Sequence, residues 1–107
     1  MRTGTEYAVI TTTFPGMEPA RRVARLLVER RLAACAQLLP IESVYAWRGE
    51  IHEEAEVKLL VKSKAALAGQ VMAAIRENHP YEVPEIVHIP IAGGSPEYLK
   101  WIGETTL

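Results

Sequence analysis

A stretch of alternating residues between positions 51 and 62 constrains the fold of this 107-residue chain more than any other feature. Its odd positions are mostly apolar: Ile51, Glu53, Ala55, Val57, Leu59 and Val61. Its even positions are mostly charged: His52, Glu54, Glu56, Lys58, Leu60 and Lys62. A period of two is typical of a strand with one buried face. Gly49, just before it, gives the backbone freedom that a tight turn needs. The sequence therefore predicts the second arm of a long β-hairpin.

The first arm is the segment that begins near Cys35 and ends at Trp47, and its pattern is less regular. One face carries Gln37, Leu39, Ile41, Ser43, Tyr45 and Trp47, and the other carries Leu38, Val44 and Ala46. Pro40 has no N–H to donate to a neighbouring strand, so we predict a bulge or bend beside it. The hairpin is too long and too apolar to stand free. We expect it to pack against this chain or against another copy.

The remaining segments alternate between strand and helix signals. Residues 6–13 and 86–91 are rich in β-branched side chains, as strands are, and Pro84 and Pro90 confine the later strand to a sheet edge or mark its ends. Apolar residues at helical spacing predict one helix after Pro19 and a second from Ser63, its N-cap, to about residue 79. A third, short helix is predicted after residue 95.

The predicted order is β-α-β-β-α-β with a terminal helix. Right-handed crossovers fold this order into an α+β, ferredoxin-like (split βαβ) sandwich, with both long helices on one face of a four-stranded antiparallel sheet. We expect a single domain over residues 1–107. The other face is then uncovered, and we place Ile10, Leu38, Val44 and Ala46 on it. Exposed apolar surface of that kind marks an interface, so a homo-oligomer is predicted.

Composition excludes several classes of partner. The net charge is −1, which gives no electrostatic basis for binding duplex nucleic acid or an anionic membrane. A single cysteine excludes an intrachain disulfide and a cysteine-only zinc site in one chain. No signal peptide or membrane-spanning run is evident, so we expect a cytoplasmic protein. An acidic run at residues 53–56 also argues against RNA on the open sheet face.

Candidate chemistry is limited to two groups of residues. Six side chains are possible copper or zinc ligands, namely Cys35, His52, His79, His88, Glu82 and Glu85. None of their spacings is that of a zinc finger or an HExxH helix. Cys35 is either a ligand or a small buried hydrophobe. A catalytic pair of Glu82 and Glu85 with His79 as base lacks a nucleophile and its orienting partner, so we do not expect an enzyme.

Five blocks in this order resemble the CutA family of divalent-cation tolerance proteins. They are residues 31–35 (RLAAC), 43–50 (SVYAWRGE), 60–63 (LVKS), 79–86 (HPYEVPEI) and 98–101 (YLKW). The resemblance runs from Tyr7 to about Ile102. It implies a ferredoxin-like subunit, a homotrimer with an overall shape like the PII signalling proteins, and an association with tolerance to copper and other divalent cations. No enzymatic activity comes with it.

The resemblance also implies a ligand cleft between subunits. The residues that match its members are Lys62, His79, Tyr81, Glu82, Glu85, Tyr45, Trp47 and Trp101, while Cys35 matches the cysteine of the first block. Some relatives carry a further cysteine where this chain has Thr12, so copper is less well supported here.

Three interpretations of the cleft stay open. In the first, the cleft between subunits binds a small ligand, or a divalent metal (copper or zinc) that is held by His79, Glu82, Glu85 and Cys35 and that folding does not require. Alternatively, the trimer is a PII-like signalling scaffold without direct metal binding. In the third, residues 79–85 form a rigid turn that only locks an interface.

Overall fold

Four antiparallel strands and three helices make up residues 6–107, which are the residues that the computed structural model describes. The elements are β1 (Tyr7–Phe14), α1 (Met17–Glu29), β2 (Cys35–Trp47), β3 (Glu50–Lys64), α2 (Ala68–Glu77, after a 3-10 turn at Ala65–Leu67), β4 (Ile86–Pro90) and α3 (Pro96–Thr105). The strand order is β2-β3-β1-β4. This is the predicted ferredoxin-like α+β arrangement, which is confirmed.

Alternation along β1 and β3 decides which side chains enter the core. Antiparallel register pairs Ile10 with Val61 and Phe14 with Val57, so these residues share the face that α1 and α2 cover. Each of them is buried, as is Leu27 on α1. Burying an apolar side chain of this size contributes roughly 1.5–3 kcal/mol. The core between the sheet and these two helices therefore fixes the inner half of the hairpin.

The predicted open-face positions are wrong. Val44 and Ala46 follow Leu38 at even positions of the unbroken strand β2, so all three lie on the same side of the sheet. Ile10 is fully buried in the helix-covered core, and Leu38 packs against the same core, so neither lies on the open face. Their register partners, Val61 and Leu59, are core residues, and facing residues of an antiparallel pair lie on one side of the sheet.

More of the open sheet face is covered than the sequence predicted. Helix α3 covers one end of it, where Leu99 and Ile102 pack against Tyr7. Ser95 begins this helix as predicted, since its hydroxyl oxygen accepts from the Tyr98 N–H at 3.4 Å. The uncovered part of the face is therefore smaller than the sequence suggested.

Two local predictions are also corrected. Ser63 is not a helix N-cap: β3 continues through it, and its buried hydroxyl donates to the Leu32 carbonyl at 2.6 Å. No bulge lies at Pro40, because the β2–β3 register is unbroken from the Cys35–Lys62 pair to the turn. Strand β2 is an edge strand, where a missing N–H can face away from the sheet.

The outer half of the β2–β3 hairpin projects from the body of the chain. The described residues extend over 48 × 25 × 21 Å, and their radius of gyration is 14.4 Å, against about 13 Å for an average domain of this length. Burial on β3 stops at Val57, and Ile51 near the turn is 79% exposed. The projecting arms therefore present both faces to whatever lies beside them.

Candidate functional site

The projecting hairpin supplies one wall of a groove. Tyr45 and Trp47 lie near its turn on β2, and the register places Glu54 and Glu56 of β3 on the same face. The ring of Tyr45 stacks on that of its register partner His52, with centroids 5.3 Å apart. Aromatic side chains on β2 thus lie beside acidic side chains on β3 along this wall.

The opposite wall is the segment 79–85, which His79 anchors. Its Nε2–H donates to the Thr13 carbonyl at 2.7 Å, and its Nδ1 accepts from the Tyr81 N–H at 3.1 Å. The ring stacks on Phe14 with centroids 4.4 Å apart. One donating and one accepting nitrogen define the neutral imidazole. Partial burial, opposed by the weaker effect of the Thr13 hydrogen bond, lowers the pKa of His79 and favours that form.

Two tyrosine hydroxyls hold carboxylates in the groove. Tyr81 Oη–H donates to Glu56 Oε2 at 2.7 Å and so joins the two walls, and Tyr45 Oη–H donates to Glu54 Oε1. Burial, and then the hydrogen bond to Glu56, raise the pKa of Tyr81. The hydrogen bond to Glu54 is the main reason that the pKa of Tyr45 is raised. Both hydroxyls therefore remain protonated donors.

The two carboxylates of the second wall already have cationic partners. Glu82 Oε2 lies 3.3 Å from Arg48 Nη2, and Glu85 Oε2 lies 3.0 Å from Lys58 Nζ. The guanidinium carbon of Arg48 also lies 5.3 Å from the centre of the Trp47 ring. Both ion pairs are solvent-exposed or nearly so, and pairs of this kind contribute about 0–1 kcal/mol. Neither pair therefore adds much to the stability of the fold.

Between these walls lies an open groove of about 670 Å³. Small-molecule sites commonly measure roughly 300–1,000 Å³. The lining includes three aromatic rings and four carboxylates, namely Tyr45, Trp47, Tyr81, Glu42, Glu56, Glu82 and Glu85. The structure therefore brings five of the sequence-predicted site residues into one groove, with His79 directly behind its wall.

The other predicted residues lie elsewhere in the chain. The Lys62 ammonium lies 5.5 Å from the centre of the Tyr98 ring, and Trp101 is next to that ring on α3. Cys35 is half-buried and pairs with Lys62 in the strand register. Lys62 is six residues from Glu56 along β3, which is roughly 20 Å at about 3.3 Å per residue. Within one chain, the predicted cleft is thus two separate regions.

Four residues in or beside the groove were not predicted from the sequence. They are Glu54, Glu56, Arg48 and Lys58. The alternation at 51–62 already places the two glutamates and the lysine on one face of β3, the face of Tyr45. That signal could have found them. Nothing local connects Arg48 with Glu82, because the two are 34 positions apart.

One chain by itself does not fit a metal ion. Among residues 6–107, no three His, Cys or Glu side chains come together as a cation site. Both ring nitrogens of His79 serve the backbone, and Glu82 and Glu85 are paired with cations. Metal ligation by these residues and Cys35 stays a prediction.

Sequence comparison shows the family. A family model described as "CutA1 divalent ion tolerance protein" matches residues 8–105, nearly the whole chain. The chain belongs to the CutA1 family. The resemblance read from the five sequence blocks is therefore confirmed.

Named relatives of this CutA1 chain come from bacteria and animals. The "Divalent-cation tolerance protein CutA" of Thermus thermophilus is 46% identical over 99 residues, which are 92% of this chain and 96% of that protein. "Protein CutA" of Mus musculus is 41% identical over 95 residues. Those residues are 88% of this chain but only 54% of the mouse protein.

Solved CutA structures have the same fold. CutA from Xylella fastidiosa superposes with a TM-score of 0.92 at 35% identity, covering 95% of this chain and 99% of that one. The solved structure of the Thermus thermophilus protein gives a TM-score of 0.90 at 44% identity, with 94% and 99% covered. In the part of the chain that the structure describes, no helix has the length and apolar character to cross a bilayer.

Proposed function

We propose that this CutA1-family chain acts in divalent-cation tolerance, and that the groove beside the hairpin is its ligand site. The names of its relatives support the first part. One observation supports the second part. The groove brings together two stretches that are far apart in the sequence, one with Tyr45 and Trp47 and the other with Tyr81, Glu82 and Glu85. No nucleophile with an orienting base is part of this proposal. The protein works by binding, in the cytoplasm, and not by catalysing a reaction.

We further propose that the working form is a homotrimer. Apolar side chains exposed on the open sheet face support an interface there: Leu39 on β2 is 51% exposed, and Val87 and Ile89 on β4 are 45% and 46% exposed. These two outer strands also have unpaired edges onto which a strand of another copy can add. Sedimentation equilibrium at decreasing concentration tests the assembly. A folded species at the 11.9 kDa chain mass would refute it.

Metal binding is the part of the proposal that depends on the trimer. Because one chain does not fit a metal, we place any copper or zinc site between subunits, with His79, Glu82, Glu85 and Cys35 as its predicted contributors. Lys62 and Trp101, distant from the groove within a chain, are proposed to complete the cleft of a neighbouring copy.

Calorimetric titration of copper(II) and zinc(II) into the metal-free protein tests this site. The double variant Glu82→Gln/Glu85→Gln removes the two groove carboxylates at constant shape. Glu77→Gln/Glu104→Gln, which changes exposed carboxylates on α2 and α3, is the matched control. Saturable binding that survives in the control and is lost in the groove variant supports the proposal. Equal binding in both variants places the metal elsewhere.

A second function, PII-like signalling without direct metal binding, has its own supporting observation. Arg48 and Lys58 already neutralise Glu82 and Glu85, the carboxylates that a metal needs. Lys62 then serves as a receptor for an anion. Titration with a phosphate-bearing probe, adenosine triphosphate, distinguishes the two functions. Binding of adenosine triphosphate that is lost in Lys62→Gln, together with no detectable binding in the metal titrations, favours signalling.

A further inference from the structure

We infer that the groove selects a small organic dication, with a guanidinium group that stacks on Trp47 and pairs with Glu82, and that Arg48 holds this position when no ligand is bound. The inference rests on the proposal that the groove is a ligand site, and it names the class of ligand.

The charge of the groove calls for a cation. Four carboxylates line it and, among the residues that the structure describes, no lysine or arginine does. Arg48 and Lys58 reach in from the rim and pair with two of them. When the ligand displaces Arg48 and Lys58 stays in place, three of the four carboxylates are left without an internal cation. Tyr81 does not change this balance, because its hydroxyl is a neutral donor to Glu56. In the proposed trimer, Lys62 of a neighbouring copy offsets one of these three, and a ligand with two positive charges matches the other two.

The aromatic lining indicates an organic cation. Trp47 and Tyr45 line the groove and are 40% and 39% exposed, so part of each ring is accessible although His52 stacks on Tyr45 and Arg48 lies over Trp47. Guanidinium and ammonium groups are attracted to the face of an aromatic ring, and tryptophan is the best such surface. A strongly hydrated divalent metal gains little from these rings. Rings beside carboxylates therefore favour an organic cation over an inorganic one.

The chain itself shows the binding mode. The Arg48 guanidinium carbon lies 5.3 Å from the centre of the Trp47 ring while Nη2 lies 3.3 Å from Glu82 Oε2. A ligand guanidinium would adopt the same geometry, contacting the ring face and the carboxylate at the same time. The side chains of Arg48 and Glu82 are 71% and 76% exposed, so water screens their attraction. Arg48 is thus an exchangeable occupant.

The backbone at Arg48 supports a role for its side chain. Arg48 and Gly49 form the two-residue turn of the hairpin, with φ of 51° and 78°. Positive φ at both positions is the type I′ pattern, for which Asn-Gly is the preferred sequence. Arginine at the first position is strained relative to asparagine. The turn does not require arginine, whereas the contacts with Trp47 and Glu82 require the arginine side chain.

Calorimetric titration with agmatine, which carries a guanidinium at one end and an ammonium at the other, tests the inference. Arg48→Asn removes the internal occupant and suits the turn. If Arg48 fills the position two-thirds of the time, this variant binds agmatine roughly threefold more tightly. Trp47→Leu removes the ring and should weaken binding roughly tenfold, and Trp47→Phe should restore part of the loss. Arg25→Asn, at an exposed arginine that pairs with Glu29 on α1, is the control and should bind as the parent chain does.

Three results would overturn the inference. The first is equal affinity of Trp47→Leu and the parent chain for agmatine, and the second is no agmatine binding to Arg48→Asn. The third is complete displacement of agmatine by magnesium at equal concentration, because that result would mean that the groove attracts any cation by bulk charge alone. Zinc titrations of the same samples separate this failure from that of the proposed function. Zinc binding that depends on Glu82 and Glu85, without agmatine binding, refutes only the dication. If neither probe binds, the groove is not a ligand site and both proposals fail.

Discussion

Replacing His79 with alanine should destabilise the protein by roughly 2–4 kcal/mol. The imidazole makes two hydrogen bonds to backbone groups, at 2.7 and 3.1 Å. Each such bond contributes about 0.5–1.5 kcal/mol. It also stacks on Phe14 at 4.4 Å, which adds about 0.5–1.5 kcal/mol. Alanine leaves the Thr13 carbonyl and the Tyr81 N–H without these partners. Urea denaturation at a fixed protein concentration and pH 7.5 measures the loss.

His88→Ala is the matched control, because His88 is exposed on β4. We expect that change to stay within about 0.5 kcal/mol of the parent chain, as surface substitutions usually do. If His79→Ala also remains within that range, His79 does not anchor the wall, and the geometry proposed for the groove loses its support.

The same histidine should make stability depend on pH. Its pKa is lower in the folded chain than the usual 6.5, so below that pH the unfolded state binds more protons. Stability therefore falls as the pH falls below about 6.5, by at most about 1.4 kcal/mol per pH unit. Denaturation curves at pH 7.5, 6.5 and 5.5 measure this slope. His79→Gln has no titrating ring and should be flatter; an unchanged slope would assign the effect to other groups.

Three further substitutions test the packing and the helix cap by denaturation. Ser63→Ala should cost about 1–2 kcal/mol, because it leaves the buried Leu32 carbonyl without the hydroxyl that donates to it. Thr12→Val should instead stabilise by about 1 kcal/mol, since Thr12 Oγ1 is buried and has no hydrogen-bond partner among the described residues. Ser95→Ala should cost about 0.5–2 kcal/mol by removing the cap of α3.

Each of these has an outcome that contradicts its reasoning. A Ser63→Ala protein as stable as the parent would mean that the hydroxyl contributes nothing beyond packing. Loss of stability in Thr12→Val would show that the hydroxyl has a partner after all. For Ser95→Ala, melting of the chain at the parent temperature would show that α3 is held by Leu99 and Ile102 alone.

The fold was predictable because the same alternation controls both register and burial. The period of two at 51–62 identified β3, and in the structure its odd positions from Val57 to Val61 are the buried ones. The pattern failed on β1, where Ile10 was assigned to the open face. A run of β-branched residues does not show which of its two faces is buried, since both faces look apolar. Only the pairing with Val61 sets which side Ile10 occupies.

The candidate site was predictable only in part, for a similar reason. Residues 79–85 form a compact block whose prolines and carboxylates stand out in the sequence. The role of His79 does not stand out, because its partners include Thr13, 66 positions earlier. The separation of Lys62 from the groove is also a matter of distance along β3. No sequence pattern reports whether two residues of one strand serve one site or two.

Both outer strands of the sheet carry a proline, Pro40 on β2 and Pro90 on β4. A proline removes one N–H from an edge, which interrupts the continuous ladder that an incoming strand of any sequence would use. Indiscriminate edge-to-edge growth into fibres is thereby discouraged, while a partner with matching spacing can still pair. A chain with a long projecting hairpin can in this way remain dispersed at high concentration. Pro40→Thr should accordingly be more prone to aggregate.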